Sequence, residues 1–272
     1  MKNKILFSAL FISFFFSSCQ ENTKKEEIKT EETQVTEQIV KETPEFTKGI
    51  ETTHKKAAFM SNKVVSYDLV VQFGGKDYLA ARFTQTVTGS KIKMERTNGE
   101  IVIFDGNNVF TNKTEANLQS DRFDIFTWTY FVTIPYKLND NGTIWSDFQD
   151  KPFYDTKLHT GKLSFEANIG DAPDDWYVIY KDEHNYLVGA AYIVSFGKGK
   201  EVAEKEPHAV KYNHFSEVDG IPFATEWTYH MWTNETGFGE KIGNATLSNI
   251  TFSKTTDNLF NRPKNAIVVP LK

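Results

Sequence analysis

Between Lys63 and Phe73 every second residue is apolar: Val65, Tyr67, Leu69, Val71 and Phe73. The positions between them include Ser66, Asp68 and Gln72. Period two is the repeat of a pleated strand with one buried face. Gly74-Gly75 then supplies a turn, and Leu79, Ala81, Phe83 and Val87 repeat the pattern against Arg82, Thr84 and Thr86. Thr88-Gly89 turns again, and Ile92 and Met94 alternate with Lys91, Lys93 and Glu95. Asn98-Gly99 is a strong hairpin signal ahead of Glu100–Phe104, and Asp105-Gly106 leads into Asn108–Asn112. Successive strands joined by tight turns pair antiparallel, so this part of the chain is a meander.

The flanking segments are less regular. Phe46, Ile50, Ala57, Ala58 and Met60 have a weak helical period, with His54 on or beside that face, which predicts one short amphipathic helix. Ser120 is placed to cap a second helix in which Phe123, Phe126, Thr127, Tyr130 and Phe131 fall at helical spacing. Ile134-Pro135 ends it. Strands resume at Thr143–Phe148 and Leu163–Asn168. Asp175–Lys181 and Tyr186–Phe196 read as one hairpin, Lys211–Val218 and Phe223–Trp232 as another, and Ala245–Phe252 as a last long strand. In the run Trp176-Tyr177-Val178-Ile179-Tyr180 every residue is apolar or aromatic, as in a strand covered on both faces. Trp227, Tyr229 and Met231 share one face of their strand, with His230 and Trp232 on the other. No connection needs a parallel crossover.

The amino terminus reads as an address. Lys2 and Lys4 precede the apolar run Ile5–Phe16, which is followed by Ser17, Ser18 and Cys19. A basic start, a short apolar run and small residues describe a secretory signal, and a bilayer span needs about 18–20 apolar residues. Phe16-Ser17-Ser18-Cys19 resembles a bacterial lipobox, although leucine is usual at its first position. The expected division is a signal peptide over 1–18, a lipidated Cys19 with a disordered acidic tether over 19–45, and a single domain over 46–272. The alternative is an ordinary signal peptide and a free thiol. Gln20–Glu45 is rich in glutamate and has no aromatic residue, too little apolar surface to offset its ordering entropy. As a coil it would span roughly 25–30 Å. Removing Lys2 and Lys4 with the signal takes the formal charge from -5 to -7. An acidic body argues against a nucleic-acid binder that neutralises phosphates. A single cysteine excludes an internal disulfide framework.

Catalytic patterns are missing from the sequence. It has no Gly-x-Ser-x-Gly elbow and no His-Glu-x-x-His pair. Gly237-Phe238-Gly239 is followed by Gly243, which is not dinucleotide-binding spacing. Asn139-Asp140-Asn141-Gly142 has the flavour of a calcium loop but lacks its acidic twelfth position, and reads as a turn. No cofactor or metal is expected, and no catalytic residue stands out. A pair of facing carboxylates acting on glycans stays open as the least favoured alternative.

Several features together carry a resemblance. They are the leading helix with His54, the meander, and Phe104-Asp105-Gly106-Asn107-Asn108-Val109-Phe110. They continue with the aromatic helix ending in Ile134-Pro135-Tyr136-Lys137-Leu138, and Tyr212-Asn213-His214-Phe215 leading to Val218-Asp219-Gly220-Ile221-Pro222. The chain resembles the lipoprotein-carrier superfamily of LolA/LolB-like fold over about residues 46–270. That resemblance implies a mostly β fold: a curved antiparallel half-barrel, here of roughly ten to twelve strands, closed by one or two short helices as a lid. It implies that Asp121–Thr133 belongs to the lid and that Asp219–Pro222 is a structural hairpin. The concave face would bind an acyl chain or another hydrophobic ligand. The cavity residues expected are Tyr67, Leu69, Val71, Leu79, Phe83, Ile92, Met94, Phe126, Tyr130, Trp227 and Tyr229. Taken singly, any one of these aromatics reads more readily as plain core than as a ligand contact. The expected setting is the cell envelope, lipid-anchored at the outer membrane. Expected partners are the membrane, through the N-terminal lipid, a lipid or other hydrophobic small ligand, and envelope proteins. A scaffold with a filled core that binds envelope proteins is the alternative function.

Overall fold

The computed structural model describes residues 43–113 and 118–270. The signal-like segment, Cys19 and the tether as far as residue 42 lie outside the described residues. The leading apolar period forms two helices instead of the single one expected, α1 (Glu45–Thr53) and α2 (Lys56–Met60). Lys55 breaks them apart with left-handed backbone at φ 58°. His54, just before the break, is buried.

The meander follows as β1 (Val64–Phe73), β2 (Lys76–Thr86), β3 (Ile92–Arg96), β4 (Ile101–Phe104) and β5 (Val109–Thr111). In β1 the alternation is obeyed: Val65, Tyr67, Leu69 and Val71 are fully buried while Val70 is exposed. Gly99, at φ 87°, makes the tight turn between β3 and β4 that its Asn-Gly pair announces. After β5 comes α3 (Leu118–Thr133), ended by the 3-10 turn Ile134–Tyr136. The second half holds β6 (Thr143–Phe153), β7 (Thr156–Phe165), β8 (Tyr177–Lys181) and β9 (Leu187–Tyr192). A short helix, α4 (Lys200–Ala203), then precedes β10 (His208–Val218), β11 (Ile221–Thr233), β12 (Gly237–Ser253) and β13 (Ile267–Val269). The turn Asp219-Gly220 joins β10 to β11 as a hairpin.

The 13 strands among the described residues form one antiparallel sheet in the order β13-β5-β4-β3-β2-β1-β12-β11-β10-β9-β8-β7-β6. Two meanders, β1–β5 and β6–β12, are joined by the long pairing of β1 with β12. β5 therefore lies near one edge of the sheet and β6 at the other. The chain between them must cross the sheet, and α3 lies in that crossing. Register shifts in the β1–β12, β1–β2, β6–β7 and β11–β12 pairings bend the strands. The sheet curls around α3, so that strands of both meanders share one core with it.

The outer face is covered where β8 to β11 lie. Val178, Tyr180, Ala191, Ala209, Trp232 and Phe238 make a second cluster there, joined by Phe153 and Leu158 from β6 and β7. Trp232 Nε1 donates to the Tyr180 hydroxyl at 2.9 Å. This explains why the run ending at Tyr180 has no polar face. β6 comes so close to the β11–β12 turn that a side-chain carbon at Gly237 would collide with the Pro152 carbonyl. Met231 keeps the alternation of β11, pairing with His208 as Tyr229 pairs with Val210, and it is 38% exposed.

Candidate ligand cavity

α3 carries large apolar residues on two sides, and the two sides do different things. Ile125, Trp128, Phe131 and Val132 enter the core, where Trp128 meets Tyr229 edge-on with ring centres 6.0 Å apart. Below them Arg96 of β3 reaches the first turns of α3. Its Nη2 donates to Asp121 Oδ1 at 3.1 Å and to Asp124 Oδ2 at 2.8 Å. The Tyr78 hydroxyl and Trp128 Nε1 each donate to Asp124 Oδ1 at 2.9 Å. At the other end the Tyr212 hydroxyl donates to the Phe131 carbonyl at 2.9 Å. Buried charges persist only when they are paired and hydrogen-bonded, and these bonds set the position of the helix on the sheet.

The other side of α3 carries Arg122, Phe123, Phe126, Thr127, Tyr130 and Thr133, which face a solvent-open cavity of about 560 Å³. Strand ends and turns supply the opposite walls: Gln85, Ile92, Phe104, Phe165, Tyr177 and Phe196. Phe104 meets Phe126 edge-on at 5.0 Å, and Tyr130 lies 5.2 Å from Tyr177 and 6.3 Å from Phe165. Seven aromatic rings thus share the walls with polar side chains.

Polar groups gather at the rim. Arg122 and Asp171 pair bidentately, Nη2 to Oδ1 at 2.9 Å with a shorter bond from Nε, and the guanidinium lies 5.4 Å from the Phe126 ring centre. Lys137 Nζ donates to the Thr88 carbonyl at 3.0 Å and lies 3.5 Å from Asp140. Burial raises the pKa of the Asp175 carboxyl, although the Ser195 amide donates to it at 2.7 Å. The Tyr130 hydroxyl is buried without a hydrogen-bond partner. Burial, and then the nearby Asp140 and Asp175, push its pKa up, so it stays a neutral hydroxyl. Among the described residues, no group of three or more His, Cys, Asp and Glu is placed to hold a metal ion.

Of the residues expected in the cavity, the structure brings Ile92, Phe126 and Tyr130 to its wall. Tyr67, Leu69, Val71, Leu79, Phe83, Met94, Trp227 and Tyr229 lie elsewhere, packed in the core. Tyr67 stacks on Phe83 at 5.6 Å and its hydroxyl accepts from Gln85 Nε2 at 3.0 Å. Trp227 borders a void of about 20 Å³, room for about one water. The reason is steric: α3 rests directly on those strands and fills the space over them. The residues that do line the cavity come from strand ends, turns and the outer side of α3, where period-two patterning is silent. Two quoted motifs touch it all the same, through Phe104, Gly106 and Asn107 and through Lys137.

No family model and no curated protein matches the chain. Among solved structures it is similar to a LolA superfamily protein from Nitrosomonas europaea. That match has 9% identity, spans 78% of this chain and 97% of that one, and has a TM-score of 0.49. It is also similar to a DUF1329 family protein from Desulfovibrio piger, with 8% identity, 80% and 98% coverage and a TM-score of 0.46. A third likeness is to a domain from Vibrio parahaemolyticus described as an outer membrane lipoprotein-sorting protein, with 10% identity, 79% and 97% coverage and a TM-score of 0.46. These likenesses concern architecture, and nothing about ligand or activity follows from them.

Proposed function

We propose that this chain is a lipid-anchored cell-envelope protein that holds an acyl chain or another hydrophobic ligand beside α3. The observation that carries the reading is the aromatic-walled, solvent-open cavity of about 560 Å³. Pockets of about 300–1,000 Å³ with mostly apolar walls and a few polar groups suit small ligands. Covering apolar wall stabilises the complex by about 25 cal/mol per Å² removed from water. Cys19, with a lipobox-like approach and a charged tether behind it, supports an outer-membrane anchor over a freely diffusing carrier. An anchored protein would hold or receive its ligand instead of ferrying it. The absence of catalytic motifs from the sequence supports binding over turnover.

The reading is tested with the neutral, polarity-sensitive dye Nile red. The protein is expected to take it up with a blue shift, and Thr127→Trp, which fills the cavity from α3, is expected to weaken uptake at least tenfold. A second reading, a scaffold for envelope proteins, is favoured by the filled core under the other side of α3. No uptake by the unaltered protein would transfer the proposal to that reading.

A further inference from the structure

The cavity beside α3 has a neighbour. A smaller cavity of about 180 Å³ lies next to it, and Arg122, Asp171, Ala172 and Phe196 line both. The Arg122–Asp171 ion pair is the partition between an aromatic space and a polar one. Asp174 and Ser195 line the polar side only.

Building on the proposed function, we propose that the ligand is a single-chain amphiphile with a small head that donates hydrogen bonds and is not an anion. Its chain lies in the larger cavity and its head in the smaller one. Size supports the first part. A methylene takes up about as much space as a water, roughly 30 Å³, so the larger cavity holds on the order of 18 carbons. That matches one long chain in volume. By the same measure the smaller cavity holds on the order of six heavy atoms, the size of glycerol or ethanolamine.

Charge supports the second part. Along the two cavities the carboxylates are Asp140, Asp171, Asp174 and Asp175, and the cations are Arg122 and Lys137. Asp171 already pairs with Arg122, and Lys137 is held by Asp140 and the Thr88 carbonyl. Lys198 acts on Asp175 but is itself exposed. The charge left over is that of Asp174 in the smaller cavity and Asp175 in the larger one. Ionised carboxylates only accept, so the complementary head supplies hydroxyl or ammonium donors. A fatty-acid carboxylate or a bare phosphate would meet like charge.

The test is displacement of bound Nile red from the purified full chain at pH 8 by 1-monooleoylglycerol, oleate and dioleoyl phosphatidylglycerol. Monooleoylglycerol is expected to act at a concentration at least ten times lower than oleate, and the two-chain lipid to displace little. Asp174→Asn, at an exposed position, is expected to shrink the preference over oleate at least threefold. Oleate or the two-chain lipid equalling monooleoylglycerol overturns the inference and leaves the acyl-binding reading standing. An undiminished preference in Asp174→Asn overturns the placement of the head. If the dye binds and none of the three lipids displaces it, both this inference and the acyl-binding reading fall.

Discussion

The two sides of α3 are made of similar residues and have opposite surroundings. Trp128 and Phe131 on one side meet Tyr229, Phe73 and Tyr192, with a void of only about 20 Å³ beside Phe131. Phe126 and Tyr130 on the other meet Phe104, Phe165 and Tyr177 across a cavity. The difference lies in the walls opposite. The filled side meets rings from four strands: Phe73 of β1, Tyr78 of β2, Tyr192 of β9 and Tyr229 of β11. The open side faces strand ends and turns across open space. Aromatic content alone therefore does not decide between core and pocket.

The comparison is broken most forcefully by truncating each side. Trp128→Ala removes a large buried ring and the donor to Asp124, and is expected to cost about 3–5 kcal/mol in denaturant unfolding. Phe126→Ala on the open side is expected to cost about 1–2 kcal/mol, because the ring is only half-buried, yet to weaken dye uptake more than Trp128→Ala does. Equal costs would mean that the cavity closes in solution.

His54 sharpens the same contrast through pH. It belongs to the filled side, between Tyr136, Tyr186 and Phe215, and its Nε2 accepts from the Leu187 amide at 3.0 Å. Burial lowers its pKa from 6.5 to about 3. The unfolded chain binds the proton near 6.5 and the folded chain only near 3, so this contribution is complete above pH 6.5 and is lost as pH falls. Between pH 6.5 and 5 it amounts to about 2 kcal/mol. His54→Gln is expected to flatten that part of the stability curve relative to the unaltered protein, while dye uptake keeps its own pH dependence. The smallest effect is expected at Val70, which points away from both sides. Val70→Thr is expected to change stability by no more than about 0.5 kcal/mol.

Much of the fold was legible because its signals are local. The alternation from Val65 to Phe73, the Asn98-Gly99 turn and the run ending at Tyr180 each follow from neighbouring residues and hold in three dimensions. Local signals failed where backbone geometry intervened. Lys55 splits the first helix with its left-handed backbone. The short β13 has too few residues to show a period, and β6 extends past Phe148 to Phe153 to cover the outer face. The cavity was the least legible part. Arg122 and Asp171 meet across 49 residues, and no spacing rule joins them. The alternating residues Tyr67, Leu69 and Phe83 were sound evidence for an inward face and carried no information on whether that face was filled.

The central claim is that the open side of α3 is a ligand site and not a packing defect. Native mass spectrometry of the protein, gently purified from cells, tests it most directly. The account predicts a bound mass that is released as a single-chain lipid and is lost in Thr127→Trp. A bare polypeptide mass that takes up no added monooleoylglycerol would contradict it.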